Sequence, residues 1–77
     1  MANVKVYSTP TCPWCVRAKQ FLKSKNIQFA DIDVSKDREM AMEMVKKSGQ
    51  QGVPVIEIDG TIIVGFDQGR IEKLLGI

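Results

Sequence analysis

Segments with strand-like and helix-like patterns alternate along the chain, in an order that few small folds accommodate. "VKVYS" (4–8) alternates and is rich in β-branched and aromatic residues, which is typical of a strand. "IQFADIDV" (27–34) has a similar composition and predicts a second strand. "PVIEIDGTIIVGF" (54–66) divides into two strands at Asp59-Gly60, the strongest short signal for a hairpin.

Three further segments have apolar residues at helical spacing. In the first, which follows the two cysteines, these residues are Cys15, Ala18, Phe21 and Leu22. Ser35 and Asp37 are both able to cap the second, which is predicted to run through Lys47 and stop at Gly49, with Met40, Ala41, Met44 and Val45 pointing inward. The third begins after the cap Asp67 and carries Ile71, Leu74 and Leu75. The order β-α-β-α-β-β-α predicts an α/β fold: a four-stranded mixed sheet flanked by three helices, in a single domain over residues 1–77.

Composition excludes several classes of partner. Eleven basic and nine acidic side chains are interspersed, without a basic stripe alternating with aromatics, so nucleic acid is not expected as a partner. No apolar run is long enough to cross a membrane, and Met1-Ala2-Asn3 leads into the first strand without the pattern of a secretion signal. We therefore expect a cytoplasmic protein that binds no membrane, in a compartment where thiols are normally kept reduced.

The two cysteines of the chain lie in "TPTCPWC" (9–15), separated by two residues. A structural disulfide here would close a loop of about four residues and contribute roughly 2 kcal/mol at most, and cytosolic disulfides are seldom structural. A zinc site needs four ligands, whereas this chain has two cysteines and no histidine, so a second chain or an outside thiol would have to complete the site. Both alternatives are weaker than a reactive dithiol, and no metal site is predicted.

The position of the pair favours a difference between the two thiols. Pro13 suits the first turn of a helix, which places Cys12 at the helix N-terminus and Cys15 one turn inside. The unpaired N–H groups and the positive end of the helix dipole favour a thiolate at Cys12. Cys15, further inside, is expected to keep its proton. A C-x-x-C pair that ends the first strand of a βαβ unit is typical of thioredoxin-like redox proteins.

Three blocks in this order, "VYSTPTCPWC", "GVPVIEIDG" and "VGFD", give the chain a resemblance to the glutaredoxin family over essentially its whole length. The resemblance implies a thioredoxin fold in a thiol–disulfide oxidoreductase that acts on protein disulfides or glutathione mixed disulfides. It also implies Cys12 as the attacking thiol, Cys15 as the resolving thiol and a cis Val53-Pro54 bond, with Pro54 against the cysteines and the Val53 backbone pairing with the incoming thiol peptide. Glutathione is then the expected electron donor, as a co-substrate of a monomer that has no tightly bound cofactor.

Two departures from the family pattern bear on the electron donor. Residues 8–11 provide no lysine for a glutathione carboxylate, and Lys5 lies too far back on the strand to replace one. The usual Gly-Gly pair is Val64-Gly65, followed by Phe66, although Gly65 and Asp67 still match the γ-glutamyl subsite. This pattern resembles redoxins that are reduced by thioredoxin reductase and serve ribonucleotide reductase, which is the first alternative. An iron–sulfur cluster bridged between two chains by their Cys12 thiolates and two outside thiols is another.

Aromatic and charged residues near the cysteines allow further predictions. Trp14 is expected to be exposed at the substrate surface. Tyr7 either flanks the thiols or packs as an ordinary strand residue. Arg17 and Lys19 are predicted to form a solvated, positively charged face near Cys12. The methionines of the second helix are interpreted as core and surface residues, not as metal ligands; they are Met40, Met42 and Met44.

Overall fold

Four strands form one mixed sheet in a computed structural model that describes residues 3–77. The strands are β1 (Val4–Ser8), β2 (Ala30–Asp33), β3 (Val55–Ile58) and β4 (Thr61–Val64), in the spatial order β2-β1-β3-β4. β1 pairs parallel with β2 and antiparallel with β3, and β3 pairs antiparallel with β4. The helices are α1 (Pro13–Ser24), α2 (Arg38–Ser48) and α3 (Gln68–Leu75). The predicted sheet and element order are confirmed. The sequence predicts no secretion signal at the start of the chain. Its first two residues, Met1 and Ala2, lie outside the described residues.

The helices cover both faces of the sheet, because successive strand residues point to opposite sides. Val4 and Val6 of β1 face one side, where the buried residues Ala18, Leu22, Ile56, Ile58, Ile63 and Ile71 form the first core with α1 and α3. Tyr7 faces the other side, where it forms the second core with Met44 of α2 and Val55 of β3. The chain enters the loop before α1 directly after β1, so the cysteine pair lies at one end of this three-layered packing.

Turn and cap residues act largely as predicted. Asp59 and Gly60 join β3 and β4 with φ values of 48° and 89°, as a tight hairpin turn requires. Asp37 caps α2 by accepting the Met40 N–H at 3.1 Å. Gly49 ends α2 in the left-handed conformation, with φ 74°.

Three details differ from the sequence prediction. β2 is shorter than 27–34, because the Ile27 N–H bonds to the Leu22 carbonyl at 2.9 Å and so closes the end of α1 before pairing with β1 begins at Ala30. Ser35 does not cap α2, because its N–H and hydroxyl both donate to the Asp33 carboxylate in the turn after β2. Leu74 is 39% exposed, since the short helix α3 directs Ile71 and Leu75 toward the core instead.

A lysine with several partners links α2 to the sheet. Lys47 Nζ lies 2.8 Å from Glu57 Oε1 of β3 and 2.9 Å from Glu43 Oε1 one turn earlier in α2. Its third contact is the Tyr7 hydroxyl oxygen, at 3.3 Å. The hydrogen bond to Glu57, whose side chain is 14% exposed, is the main cause that raises the pKa of Lys47 above its usual value. Lys47 therefore links α2 to polar side chains of both β1 and β3.

Candidate active site

Cys12 is the N-cap of α1. Its backbone is extended, with φ −89° and ψ 113°, and its sulfur accepts the Cys15 N–H at 3.2 Å, in the role that a side-chain oxygen has in most N-caps. Pro13 occupies the first helical position, where its missing N–H leaves no hydrogen bond unmade. An N–H group directed at the sulfur from the positive end of a helix stabilises negative charge on that atom. The local structure thus supports Cys12 as a nucleophile.

Cys15 lies in the first turn of α1, with its side chain fully buried. Burial is the main cause that raises the pKa of Cys15 to about 11, and its hydrogen bond with Cys12 is the second. Cys15 is therefore a neutral thiol at physiological pH. Both cysteines are free thiols in this structure, so it represents the reduced protein. The pair combines one partly exposed sulfur with one enclosed sulfur.

The loop before β3 contacts Cys12. Its Val53-Pro54 peptide bond is cis, as the family resemblance implies, and Pro54 is buried. The Cys12 thiol donates to the Val53 carbonyl oxygen, with 3.8 Å between sulfur and oxygen. The Pro54 carbonyl accepts the Gly65 N–H at 2.8 Å, which joins this loop to the end of β4. The reactive sulfur therefore lies between a helix terminus and a backbone carbonyl.

A shallow surface groove of about 270 Å³ lies beside the cysteine pair. It brings together five residues that the sequence analysis assigned to the site: Trp14, Val53, Pro54, Gly65 and Phe66. The Trp14 side chain is 55% exposed, in agreement with the prediction. Phe66 packs against Phe21 of α1, with ring centroids 5.7 Å apart. Four of the five lining residues have apolar side chains and the fifth is glycine, so the groove suits apolar groups and the extended backbone of a ligand.

Comparisons with known proteins agree with this geometry. Residues 4–63 match the model of the glutaredoxin family. A glutaredoxin-like 8.6 kDa protein in the rubredoxin operon of Clostridium pasteurianum is 57% identical over 72 residues, which cover 94% of this chain and 96% of that protein. Glutaredoxin 3 of Escherichia coli K12 is 43% identical over 67 residues, 87% of this chain and 81% of the relative. The crystal structure of an Archaeoglobus fulgidus glutaredoxin has a TM-score of 0.87 and 28% identity, and the match covers 97% of this chain and 87% of that one. The chain belongs to the glutaredoxin family.

Glutaredoxins are thiol oxidoreductases, and the reduced cysteine pair at the start of α1 is consistent with that general activity. Within residues 3–77, no three His, Cys, Asp or Glu side chains are grouped so that they could hold a metal ion. In the same part of the chain, no helix is long and apolar enough to cross a bilayer.

Three charged or aromatic residues do not line the groove of this glutaredoxin. Tyr7, a predicted flank of the cysteines, is buried in the second core on the α2 side of the sheet. Asp67, a predicted ligand contact, uses its carboxylate to cap α3, accepting the Arg70 N–H at 3.2 Å. Lys19 was predicted to be solvated, which is wrong: its side chain is 20% exposed and its ammonium pairs with Asp31 at 2.9 Å.

Two residues that the sequence analysis missed organise the loop before Pro54. Ser48 and Gln50 make side-chain hydrogen bonds to the backbone of this loop. Arg17 also has a more specific role than a solvated face, because its guanidinium carbon lies 4.9 Å from the centre of the Trp14 ring. No sequence motif marks Ser48 or Gln50, since their contacts depend on the conformation of an irregular loop.

Proposed function

We propose that this glutaredoxin reduces disulfide bonds in proteins, and mixed disulfides of glutathione, through the Cys12–Cys15 dithiol. The observation that carries the proposal is the asymmetry of the pair beside an apolar groove. Cys12 is partly exposed and caps α1, whereas Cys15 is enclosed and has a raised pKa of about 11. The Cys12 sulfur is placed to attack the substrate disulfide, and the Cys15 sulfur reacts only in the second step.

In the first step the Cys12 thiolate attacks one sulfur of the substrate disulfide. A bond forms between Cys12 Sγ and that sulfur, the substrate S–S bond breaks, and the departing substrate thiolate takes up a proton. Cys15 then loses its proton and attacks Cys12 Sγ, so that the second substrate sulfur leaves as a thiol. The substrate gains two electrons and two protons, and the protein retains a Cys12–Cys15 disulfide.

The raised pKa of Cys15 orders these two steps. Part of the increase comes from the hydrogen bond with Cys12 and from the negative charge on that sulfur. Once Cys12 is bonded to the substrate, its sulfur no longer carries that charge, so deprotonation of Cys15 becomes easier. Cys15 therefore becomes a better nucleophile after the mixed disulfide has formed.

Substrate contacts are assigned to the groove and the loop beside it. The Val53 carbonyl and the buried Pro54 lie next to Cys12, and we assign the Val53 backbone as the group to which a substrate segment pairs as an added strand does. Trp14 and Phe66 supply apolar contact area, and Gly65, with φ 83°, allows close approach of a ligand. No cofactor is needed beyond the electron donor, and we propose a monomer that works in the cytoplasm.

Glutathione is the proposed electron donor, with weak affinity. Residues 8–11 contain no cation, while Lys5 pairs with Glu57 at 3.9 Å and Lys19 pairs with Asp31 at 2.9 Å. Both lysines are thus engaged with carboxylates of the protein. The apolar lining of the groove favours the second candidate, a redoxin reduced by thioredoxin reductase that serves ribonucleotide reductase.

One assay separates the two donors. The oxidised protein is supplied either with glutathione, glutathione reductase and NADPH or with thioredoxin reductase and NADPH, and NADPH consumption is followed. We expect slow turnover with glutathione. Thr9→Lys should lower the KM for glutathione roughly tenfold, the value of one modest charge-assisted hydrogen bond.

Gln28→Lys is the matched control, because it adds the same charge at an exposed position beyond the far end of α1. It should leave that KM unchanged. Rapid turnover with thioredoxin reductase and none with glutathione would assign the protein to the second candidate function.

A further inference from the structure

The loop between α2 and β3 is irregular, yet several of its hydrogen bonds converge on the side chain of Gln50. Gln50 Oε1 accepts the Gly52 N–H at 2.6 Å, and Gln50 Nε2 donates to the Gly52 carbonyl at 2.9 Å. One amide group thereby satisfies both backbone groups of Gly52, as a neighbouring strand would. We call this pair of hydrogen bonds the Gln50 clasp.

Ser48 fastens the clasp to the end of α2. Its hydroxyl oxygen lies 2.7 Å from the Met44 carbonyl oxygen, one turn earlier in the helix, and 2.9 Å from the Gln50 carbonyl oxygen. The same oxygen accepts the Gln50 backbone N–H and the Nε2 group, each at 3.4 Å. Met44 is buried in the second core, so the clasp is connected to a rigid part of the fold.

A side chain at Gly52 would collide with the clasp. A Cβ atom at Gly52 would lie 2.6 Å from Gln50 Oε1, closer than real Cβ contacts. Its φ is not in the left-handed region, so backbone conformation does not by itself require glycine. An alanine at this position would therefore displace the Gln50 amide.

The segment that the clasp holds leads directly to the reactive sulfur. Val53 follows Gly52, and its carbonyl oxygen accepts the Cys12 thiol at 3.8 Å. The Pro54 carbonyl is fixed from the other side by the Gly65 N–H at 2.8 Å. The backbone opposite Cys12 is thus restrained at both ends, by the clasp before Val53 and by β4 after Pro54.

We propose that Gln50 is a positioning residue for disulfide reduction, which holds the Val53 backbone in the orientation that a peptide substrate pairs with. This inference rests on the proposed function. Without the clasp, the loop must be ordered each time a peptide binds, which weakens binding without changing the cysteine chemistry. A small disulfide without peptide groups does not use the Val53 backbone and is indifferent to the clasp.

The test compares two substrates in Gln50→Ala. For a peptide disulfide, KM should rise roughly tenfold with kcat nearly unchanged, since about two modest hydrogen bonds are lost. For dithionitrobenzoate, a small aromatic disulfide, both constants should stay at the wild-type values. Gln51→Ala is the matched control, because Gln51 is an exposed glutamine outside the clasp.

A double-mutant cycle with Gly52→Ala gives an independent measure. Gly52→Ala alone should raise KM for the peptide about as much as Gln50→Ala, because it displaces the same amide. Adding it to Gln50→Ala should cost almost nothing further, since the obstructing atom is gone. Circular dichroism melting checks that each variant is folded, and amide hydrogen exchange at Gly52 should speed up in Gln50→Ala even without any substrate.

Two results would overturn the inference. One is a peptide KM in Gln50→Ala equal to that of Gln51→Ala; the other is an equal loss with both substrates, which would indicate a general structural role. Failure of the wild-type protein to reduce either disulfide would instead refute the proposed function. In that case, unchanged exchange at Gly52 in Gln50→Ala would reject the clasp as well, whereas faster exchange would leave a loop restraint without a role in disulfide reduction.

Discussion

At neutral pH, alkylation is expected to modify Cys12 and spare Cys15. Burial is the main cause that raises the pKa of Cys15 from 9.0 to about 11. At pH 7 a thiol with the lower value is thiolate to roughly 1%, and one with the higher value to roughly 0.01%. Because the thiolate is the reacting species, the raised pKa lowers the reactive fraction of Cys15 about a hundredfold. A thiolate of higher pKa is intrinsically more nucleophilic, so the pKa alone slows Cys15 roughly tenfold. Its complete enclosure slows it further. Cys12 is partly exposed and receives an N–H hydrogen bond on its sulfur.

The assay treats the reduced protein with iodoacetamide at pH 7 and locates the label by fragmentation in a mass spectrometer. Cys12→Ala and Cys15→Ala isolate each thiol, and the same variants in guanidinium chloride give the rates of the unfolded chain. Folding should slow the labelling of Cys15 by more than roughly tenfold, because enclosure adds to the effect of the pKa. Comparable labelling of both cysteines in the folded protein would refute the assigned asymmetry, and so would equal rates for Cys12→Ala in its folded and unfolded states.

Three further predictions concern activity and stability. Cys12→Ser should abolish reduction of a peptide disulfide, whereas Cys15→Ser should accumulate a mixed disulfide at Cys12, visible as an added peptide mass; the reverse pattern would exchange the two roles. Lys47→Met should lower the free energy of unfolding in urea by roughly 1–3 kcal/mol, because it leaves the largely buried Glu57 carboxylate without its closest cation. Lys46 is exposed, so Lys46→Met should change this free energy little. The reduced protein should lose stability as the pH rises from 9 toward 11, because the folded state keeps the Cys15 proton that the unfolded chain gives up near 9.0. Cys15→Ala should lack this loss, and identical stability–pH profiles for the wild type and Cys15→Ala would contradict the raised pKa.

Local chemistry accounts for the parts of this fold that the sequence predicts well. Strand alternation, the Asp59-Gly60 turn and the Asp37 cap all depend on residues within a few positions of one another. The start of β2 depends instead on how α1 ends. Ile27 has strand-like composition, but its N–H closes the helix, and the pairing with β1 begins only at Ala30. Boundaries of this kind are set by the preceding element and are not readable from the segment alone.

In the candidate site, too, some residues could be placed from the local sequence and others could not. Trp14 could be placed from the sequence because it occupies the first turn of a recognisable helix. The faces of the sheet decide the position of Tyr7: it alternates with Val6 on β1, so it points away from the first core and toward α2. Gln50 could not be predicted, because its two contacts require the loop to fold back on itself, and no periodicity governs such a contact.

Trp14 gives this protein an optical reporter at its active site. It is the single tryptophan of the chain, two residues from Cys12, and lines the groove with 55% of its side chain in contact with solvent. Selectively excited indole emission therefore comes from this one place, where the Arg17 guanidinium already lies against the ring. A peptide that settles into the groove removes water from the indole and shifts the emission to shorter wavelength. Docking can thus be followed in real time on the unlabelled protein, separately from the electron transfer that comes after it.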